Sequence, residues 1–509
     1  MISGMYILAQ KEQNNWLFGF NAGLTWQPPL RTVNAIGMYG TPNATLTNMP
    51  SVIPNSPIRT YEGCFSLSDA NGDLLMFSDG ITIWNKQLQP MPHANPKNGT
   101  QLTGHPSSAQ SGLILPHPQD ANKYIVVTVG NNNANNLAYS VVDMKLQNGL
   151  GDVVAGQRNI KLIGAYGTLG ETVTAVRHSN KRDFWIVALG RGTSTYLNVW
   201  QVTNNGVNTS LHSHLLIPGK TRPDWANGCI KFSPDGKSYA FVNFGEGRLN
   251  VGTFDNITGK LLSIKQRSLP PSSYGYPYGV EFSKSGKYLY VVNSPLTIGD
   301  NQGSVLQAFD LSELLGASNL ETVSPLKRIN NTRSYTPNGG HFGSIAMGPD
   351  GYMYINNFET SSTFVITNPE DPANLKIYNL PNFLGSGKCF WGLPSFTASW
   401  FRVEIACPRN ICIDKEQNYD IRVFNGEGFQ QLYKVTVDFG DGEIKTITSP
   451  VVGSNIVKYA YKSTGTYTIS LKVYDASDKI MPEMNSYTSV KVTSCTLPIN
   501  PNIHMSNNN

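Results

Sequence analysis

The residues whose types and spacing suit chemistry lie mostly in turns. Asp69-Ala70-Asn71-Gly72-Asp73 sets oxygen-bearing side chains at alternating positions, the spacing with which loops wrap Ca²⁺. The same letters also write an ordinary hairpin turn, so Asp69, Asn71 and Asp73 carry both readings. Tyr274-Gly275-Tyr276-Pro277-Tyr278 interleaves three rings with Gly and Pro. Such rings lose little entropy when they stack on a sugar face, which makes Tyr274 and Tyr276 the candidate ligand contacts. The competing reading is a strand lead-in, with Tyr278 buried beside Gly279-Val280-Glu281-Phe282. His212 and His214 place two imidazoles on one face of a strand, although their Asn-Thr-Ser flank points to a solvated loop. Ser107, Ser108 and Ser111 near His105 suggest a nucleophile and its base, against the simpler reading of turn serines. The sequence holds no Gly-x-Ser-x-Gly elbow, His-Glu-x-x-His, phosphate loop or Cys-x-x-Cys pair. No catalytic residue is assigned, and Ca²⁺ is the one cofactor the spacing suggests.

The elements that must position these residues are read from a repeated hairpin. Gly228 to Phe244 alternates apolar and polar residues, turns at Ser233-Pro234-Asp235-Gly236-Lys237, and runs on from Tyr239 as a second β-rich stretch. Pro presets one turn dihedral and Gly accepts the one that side chains resist. The unit recurs at Phe282–Val292 and Met347–Ile355, with degenerate copies at Leu67–Phe77, His117–Val127 and His178–Val187. Intervals of roughly 50–65 residues are near the spacing of propeller blades. Each unit bares an apolar face that only a neighbour can cover, and radial stacking leaves only short sheet edges open. Asn14–Trp26 and Phe390–Phe396 lack hairpin partners of their own. Joined, they would form a composite blade that closes the circle, for about seven blades in all.

Composition agrees with an all-β chain. Charged residues make up only 14 % of 509, while Gly (48) and Pro (31) are plentiful and hydrophobic content is 40 %, so turns are dense and a core is affordable. The net charge of +5 is dispersed, with no Lys/Arg run, which argues against nucleic acid or acidic lipid as a partner. No stretch approaches the ~18 apolar residues of a membrane-spanning helix.

Several segments together resemble a known group. These are Asn14-Asn15-Trp16, Phe18 to Leu24, Glu62-Gly63-Cys64 leading into Ser68 to Gly72, Ile81 to Gln110, Ser107 to Gly112, Tyr139 to Met144, Asn148 to Val153, and Gly392 to Phe396. In combination they resemble secreted Bacteroidota proteins with an N-terminal β-propeller-like region followed by PKD domains, often tied to gliding motility or type IX secretion. From Arg402 the pattern changes. Val437-Asp438-Phe439-Gly440-Asp441-Gly442-Glu443, Tyr459-Ala460-Tyr461 and Gly465 to Asp475 look like a PKD domain, with Val437 where that family usually has Trp. Read from the residues, Asp441-Gly442 is a hairpin turn and Tyr467–Val473 alternates with period two. Short strands in ~95 residues make an immunoglobulin-like sandwich.

The expected organisation is a signal-peptide remnant or flexible start over 1–11, a β-propeller over 12–401, a PKD β-sandwich over 402–496 and a flexible tail over 497–509. Of six cysteines, Cys64, Cys229 and Cys389 read as buried thiols. Either Cys407 or Cys412 bridged to Cys495 would staple the second domain. The resemblance implies a secreted or cell-surface address and brings no catalytic residues. The expected function is non-enzymatic binding or adhesion to an extracellular glycan or surface protein, with the PKD domain as spacer. The alternative is a polysaccharide hydrolase or lyase working in the propeller funnel, and paired acids converging on the axis would favour it.

Overall fold

The structure is a computed structural model. It describes residues 11–69, 72–120, 122–131, 134–180, 182–191, 194–218, 228–269, 274–295, 303–331, 340–397, 403–407, 410–423, 433–451, 453–474, 478 and 486–495. The chain divides into two compact units, Met1–Trp400 and Phe401–Asn509.

The first unit is all-β and propeller-like. Its described strands form seven sheets. Six of them begin with the strands Phe65–Ser68, Gly112–Pro116, Thr168–Arg177, Ile230–Phe232, Tyr276–Phe282 and Phe342–Met347, each paired antiparallel with the next strand in the chain. In every case the connection falls within one of the six hairpin units read from the sequence. The physics repeats with the sequence: Ser233 N donates to Ser238 O at 2.9 Å and Gly236 N to Ser233 O at 2.8 Å, and Ser283 and Gly286 repeat both bonds toward Tyr288 and Ser283. Gly236 and Gly286 stand at φ +68° and +77°, where a Cβ would be strained.

The seventh sheet is assembled from the start of the chain, Asn15–Phe18, Ala22–Thr25 and Ser51–Val52. The end of the unit is stitched to it: Phe20 N donates to Lys388 O at 2.8 Å and Lys388 N returns a bond to Phe20 O at 2.9 Å. Trp391 N donates to Tyr61 O and Ser395 N to Cys64 O, at 3.0 and 2.9 Å. The sequence reading missed a second seam. Arg31–Met38 and Ala44–Met49 form a hairpin that extends the sixth sheet, Arg31–Met38 pairing with Ile377–Leu380. Both seams share one core, in which Trp16, Leu17 and Phe18 pack with Tyr354, Val365, Leu384 and Cys389. Cys64, Cys229 and Cys389 are buried thiols.

In the second unit, one sheet holds Val403–Ala406, Gln417–Val423 and Gly453–Tyr459. The other holds Asn410–Cys412, Ser486–Thr493, Gly465–Tyr474, Lys434–Asp438 and Ile444–Thr448. Val435, Val437, Phe439, Ile469, Leu471 and Val473 are buried in one core, against which Tyr459 and Tyr467 are half-buried. Cys412 is the residue bonded to Cys495, across a separation of 83 residues.

Two outcomes follow. Gly392→Ala should lower the stability of the first unit by about 1–3 kcal/mol, because a Cβ there would sit 1.6 Å from Glu62 O. Gly316→Ala, whose Cβ meets nothing within 4 Å, should be neutral or mildly stabilising in a helix; urea unfolding of both variants checks the contrast. Reduction of Cys412–Cys495 should cost the second unit about 4.5 kcal/mol on the loop-entropy account. Thermal scans with and without reductant should show only the transition of that unit moving.

Candidate functional site

The first strands of the sheets begin side by side, and their starts are bonded to one another. Glu62 N and Gly63 N reach Pro106 O, Gln110 N reaches Glu171 O at 3.0 Å, and Thr172 Oγ1 reaches Gly228 O at 2.8 Å. Cys229 N donates to Tyr278 O at 3.0 Å, and Ser344 N to Trp391 O at 2.7 Å. Gln110 spans between sheets like a piece of strand, its Oε1 accepting from Ile230 N at 2.8 Å and its Nε2 donating to Ile230 O at 3.2 Å. Inside this ring a cavity of ≈ 10 Å³, lined by Gln110, Cys229, Lys231, Ser344, Leu393 and Ser395, has room for about one water.

Three of these first strands slip register at their starts: between Leu169 and Val173, between Pro277 and Gly279, and between Phe342 and Ile345. Bulges re-aim the side chains they carry, and the residues at these three are Glu171, Tyr278 and Ser344. Glu171, Tyr278 and Glu62 come together as a result. Tyr278 Oη donates to Glu62 Oε2 at 3.3 Å across 216 residues of sequence, and Ser107 also bonds the Glu62 carboxyl. Burial first, then the like charge of Glu171, pushes Glu62 up to about 8, against the opposing effect of the Tyr278 and Ser107 bonds. Glu62 therefore holds its proton at neutral pH. Burial and the same carboxylates drive the Tyr278 hydroxyl well above its ordinary range. Beyond Cys229, Lys231 Nζ pairs with Glu281 at 3.1 Å. The arrangement can donate a hydrogen bond or a proton from Glu62.

Aromatic rings pack around Tyr278. Tyr278 packs with Ala109 and Phe244, and the half-buried Tyr276 and Trp391 lie against that cluster. Tyr276 stacks on Phe244 with centroids 4.7 Å apart. Of the tyrosines in the Tyr-Gly-Tyr-Pro-Tyr stretch, then, Tyr276 borders the site, Tyr278 is buried and bonded to Glu62, and Tyr274 is half-buried with its ring near Gly303. Sequence reasoning missed Glu62, Glu171 and Trp391 as site residues and set Ser107 aside as a turn serine. In a chain with so few charges, acids at the very start of apolar first strands were the available signal.

The other candidates are occupied with local structure. Asp69 Oδ1 accepts from Asp73 N at 3.0 Å, and Asp73 Oδ1 accepts from Gln27 Nε2 at 3.3 Å; Asn71 lies outside the described residues. No group of three or more His, Cys, Asp or Glu among the described residues is placed to hold a metal ion. His212 lies against Trp185, its Nε2 2.8 Å from Thr258 O, and His214 stacks on Tyr166 at 3.8 Å.

No known protein family matches the sequence, and no curated protein does. Among solved structures, similar chains are β-propellers and, over a fifth of the length, PKD domains. A putative 6-phosphogluconolactonase from Bacteroides uniformis is 15 % identical, with 75 % of this chain and 96 % of that chain covered and a TM-score of 0.37. The β-propeller domain of Cps50 (Swd1) from Myceliophteria thermophila is 12 % identical, with 72 % and 94 % covered and a TM-score of 0.38. The PKD domain of an M14-like peptidase from a Thermoplasmatales archaeon is 19 % identical, with 19 % and 94 % covered and a TM-score of 0.16.

Proposed function

We propose that this chain is an extracellular recognition protein that binds a polyhydroxylated ligand, a glycan, where the first strands of its sheets begin. The observation that carries the reading is the half-buried pair Tyr276 and Trp391 packed against the cluster of Tyr278, whose hydroxyl bonds Glu62. Aromatic faces stack on the apolar faces of sugar rings, while a carboxyl that keeps its proton both donates to and accepts from hydroxyl groups. Tyr274 belongs to the outer part of the same contact surface. In this reading the seven sheets are seven blades. The second unit is a PKD-type, immunoglobulin-like sandwich acting as spacer or adhesion module.

A secreted or cell-surface address of the Bacteroidota type fits the Cys412–Cys495 disulfide, since such bonds persist in oxidising compartments. No helix among the described residues is long and apolar enough to cross a membrane. Ca²⁺ at Asp69 and Asp73 would be an accessory of the turn and takes no part in recognition.

One observation favours a second reading, acid–base chemistry on a polysaccharide. Glu62 and Glu171 are electrostatically coupled at one site, and glycoside cleavage uses a proton-holding carboxyl beside an ionised one. The cavity beyond them, at ≈ 10 Å³, admits no sugar, so a polymer would have to lie across the strand starts.

A glycan and surface-polymer array probed with the full chain, with product analysis of every hit, separates the readings. Binding without turnover is expected. Trp391→Ala and Tyr276→Ala should each weaken a positive hit by about tenfold, the scale of one aromatic stacking contact. Undiminished binding by both variants would remove the site, and release of shortened products would replace recognition with hydrolysis or elimination.

A further inference from the structure

On the reading of this region as a glycan site, a row of side chains on the closing seam bears on the charge of the ligand. Phe20 is bridged antiparallel to Arg59 on one flank and to Lys388 on the other. Asn21 N donates to Ile58 O at 2.8 Å and Thr60 N to Gly19 O at 2.9 Å, while Phe20 and Lys388 exchange bonds directly. Residues that oppose each other in an antiparallel bridge carry their side chains on one face. Arg59, Phe20 and Lys388 therefore form one row, and the residues two places on, Tyr61 and Phe390, extend that face. The rings agree with this register. Phe20 lies 5.0 Å from Tyr61 and 4.2 Å from Phe390, and Tyr61 lies 5.1 Å from Phe390.

The face is an aromatic floor with a cation on each side. Tyr61 is 47 % exposed, Phe20 is half-buried, and Arg59 and Lys388 are both exposed. The Arg59 guanidinium lies 4.8 Å over the Phe20 ring, a contact that orients its plane and spends none of its N–H groups. Among the described residues, neither Arg59 nor Lys388 makes an ion pair. Glu359, whose N donates to Cys389 O at 2.9 Å, does not pair with the neighbouring Lys388. Glu62, three residues beyond Arg59, is buried and holds its proton. The face is thus positive, in a chain where only 14 % of residues are charged. It is also continuous with the contact surface already described: Trp391 N donates to Tyr61 O at 3.0 Å, and the Phe358 ring contacts Phe390 at 5.7 Å and Trp391 at 4.5 Å.

We propose that Arg59, Phe20, Lys388 and Tyr61 form an oxyanion subsite, and that the glycan recognised here is acidic, bearing carboxylate or sulfate groups. A sugar ring stacks on Tyr61, its oxyanion takes the fork of Arg59, and Lys388 supplies the second charge.

Binding of the full chain to two acidic glycans, each beside its neutral parent, tests this: oligogalacturonate against its methyl ester, and sulfated dextran against dextran. At least one acidic form should bind tighter than its parent by about tenfold or more, and the advantage should shrink as salt is raised. The form that does so tells carboxylate from sulfate. Arg59→Gln combined with Lys388→Gln should abolish the advantage without moving the unfolding midpoint. Lys86→Gln combined with Lys97→Gln, the same loss of charge at exposed positions elsewhere in the unit, should leave it intact. Equal binding of acid and parent, or an equal loss in the control pair, overturns the oxyanion subsite; the glycan reading then stands if Trp391→Ala still weakens binding of the parent. Tighter binding of an oligothymidylate of equal length would replace the acidic sugar with nucleic acid and overturn both. Binding of none of the four glycans overturns this proposal, and an array without a glycan hit removes the reading beneath it.

Discussion

The structure of the first unit depends on the backbone seam that joins its two ends. The pairs Phe20–Lys388, Trp391–Tyr61 and Ser395–Cys64 bring the end of a 400-residue unit against its beginning. Without that seam, Phe65–Ser68 and Phe342–Met347 would be the first strands of sheets with bare flanks, and edge strands with bare flanks are poorly tolerated. Gly392 shows how close the approach is, since no side chain larger than hydrogen fits against Glu62 O. The hairpin of Arg31–Met38 and Ala44–Met49 adds an outer seam to the sixth sheet, and the Arg31 side chain fastens it by donating to Pro50 O and Phe383 O, each at 2.6 Å.

Closure also creates the site. Glu62 precedes Phe65–Ser68, the Trp391 carbonyl accepts from Ser344 N on Phe342–Met347, and the bond from Trp391 N to Tyr61 O makes the two segments neighbours. Glu171, Tyr278 and Ser344 are turned toward the same region by register shifts in strands that otherwise pair regularly. The arrangement costs something, because a carboxyl placed beside another carboxyl in a half-buried setting resists ionisation. Natural folds tend to keep such unfavourable groups where they serve a function, which is why this pair is the candidate site.

Much of the fold was legible in the sequence because its evidence is local. Ser233 to Lys237 and Ser283 to Lys287 carry their turn instructions within five residues, and the strands on either side show their alternation directly. Ring closure was anticipated, but the composite blade was not found: Asn14–Trp26 holds its own hairpin, Asn15–Phe18 against Ala22–Thr25, and Phe390–Phe396 contributes backbone bonds but no strand to that sheet. The outer hairpin was not legible, because Arg31–Met38 alternates between buried and exposed positions against a strand more than 300 residues away. The site was the least legible part. Glu62 and Tyr278 are 216 residues apart, each looks ordinary in its own segment, and only ring closure and two bulges unite them. The Tyr-Gly-Tyr-Pro-Tyr stretch drew attention by its company of rings and Gly, and within it the buried Tyr278 is the residue that reaches the acid.

The account turns on Glu62 being a proton-holding carboxyl beside Glu171. The sign is fixed: an acid lifted from 4.5 to about 8 by folding binds its proton more tightly folded than unfolded, so its contribution to stability is full below the lower value and is lost as pH rises through the higher. The direct measurement is the unfolding midpoint of the first unit from pH 4 to pH 9, for the wild-type chain and for Glu62→Gln. The account predicts that the variant gains steadily on the wild type as pH rises from about 4.5 to about 8 and that the difference then levels off. A difference that stays constant across that range would mean that folding leaves the Glu62 titration unchanged, and would contradict first its burial and then its approach to Glu171.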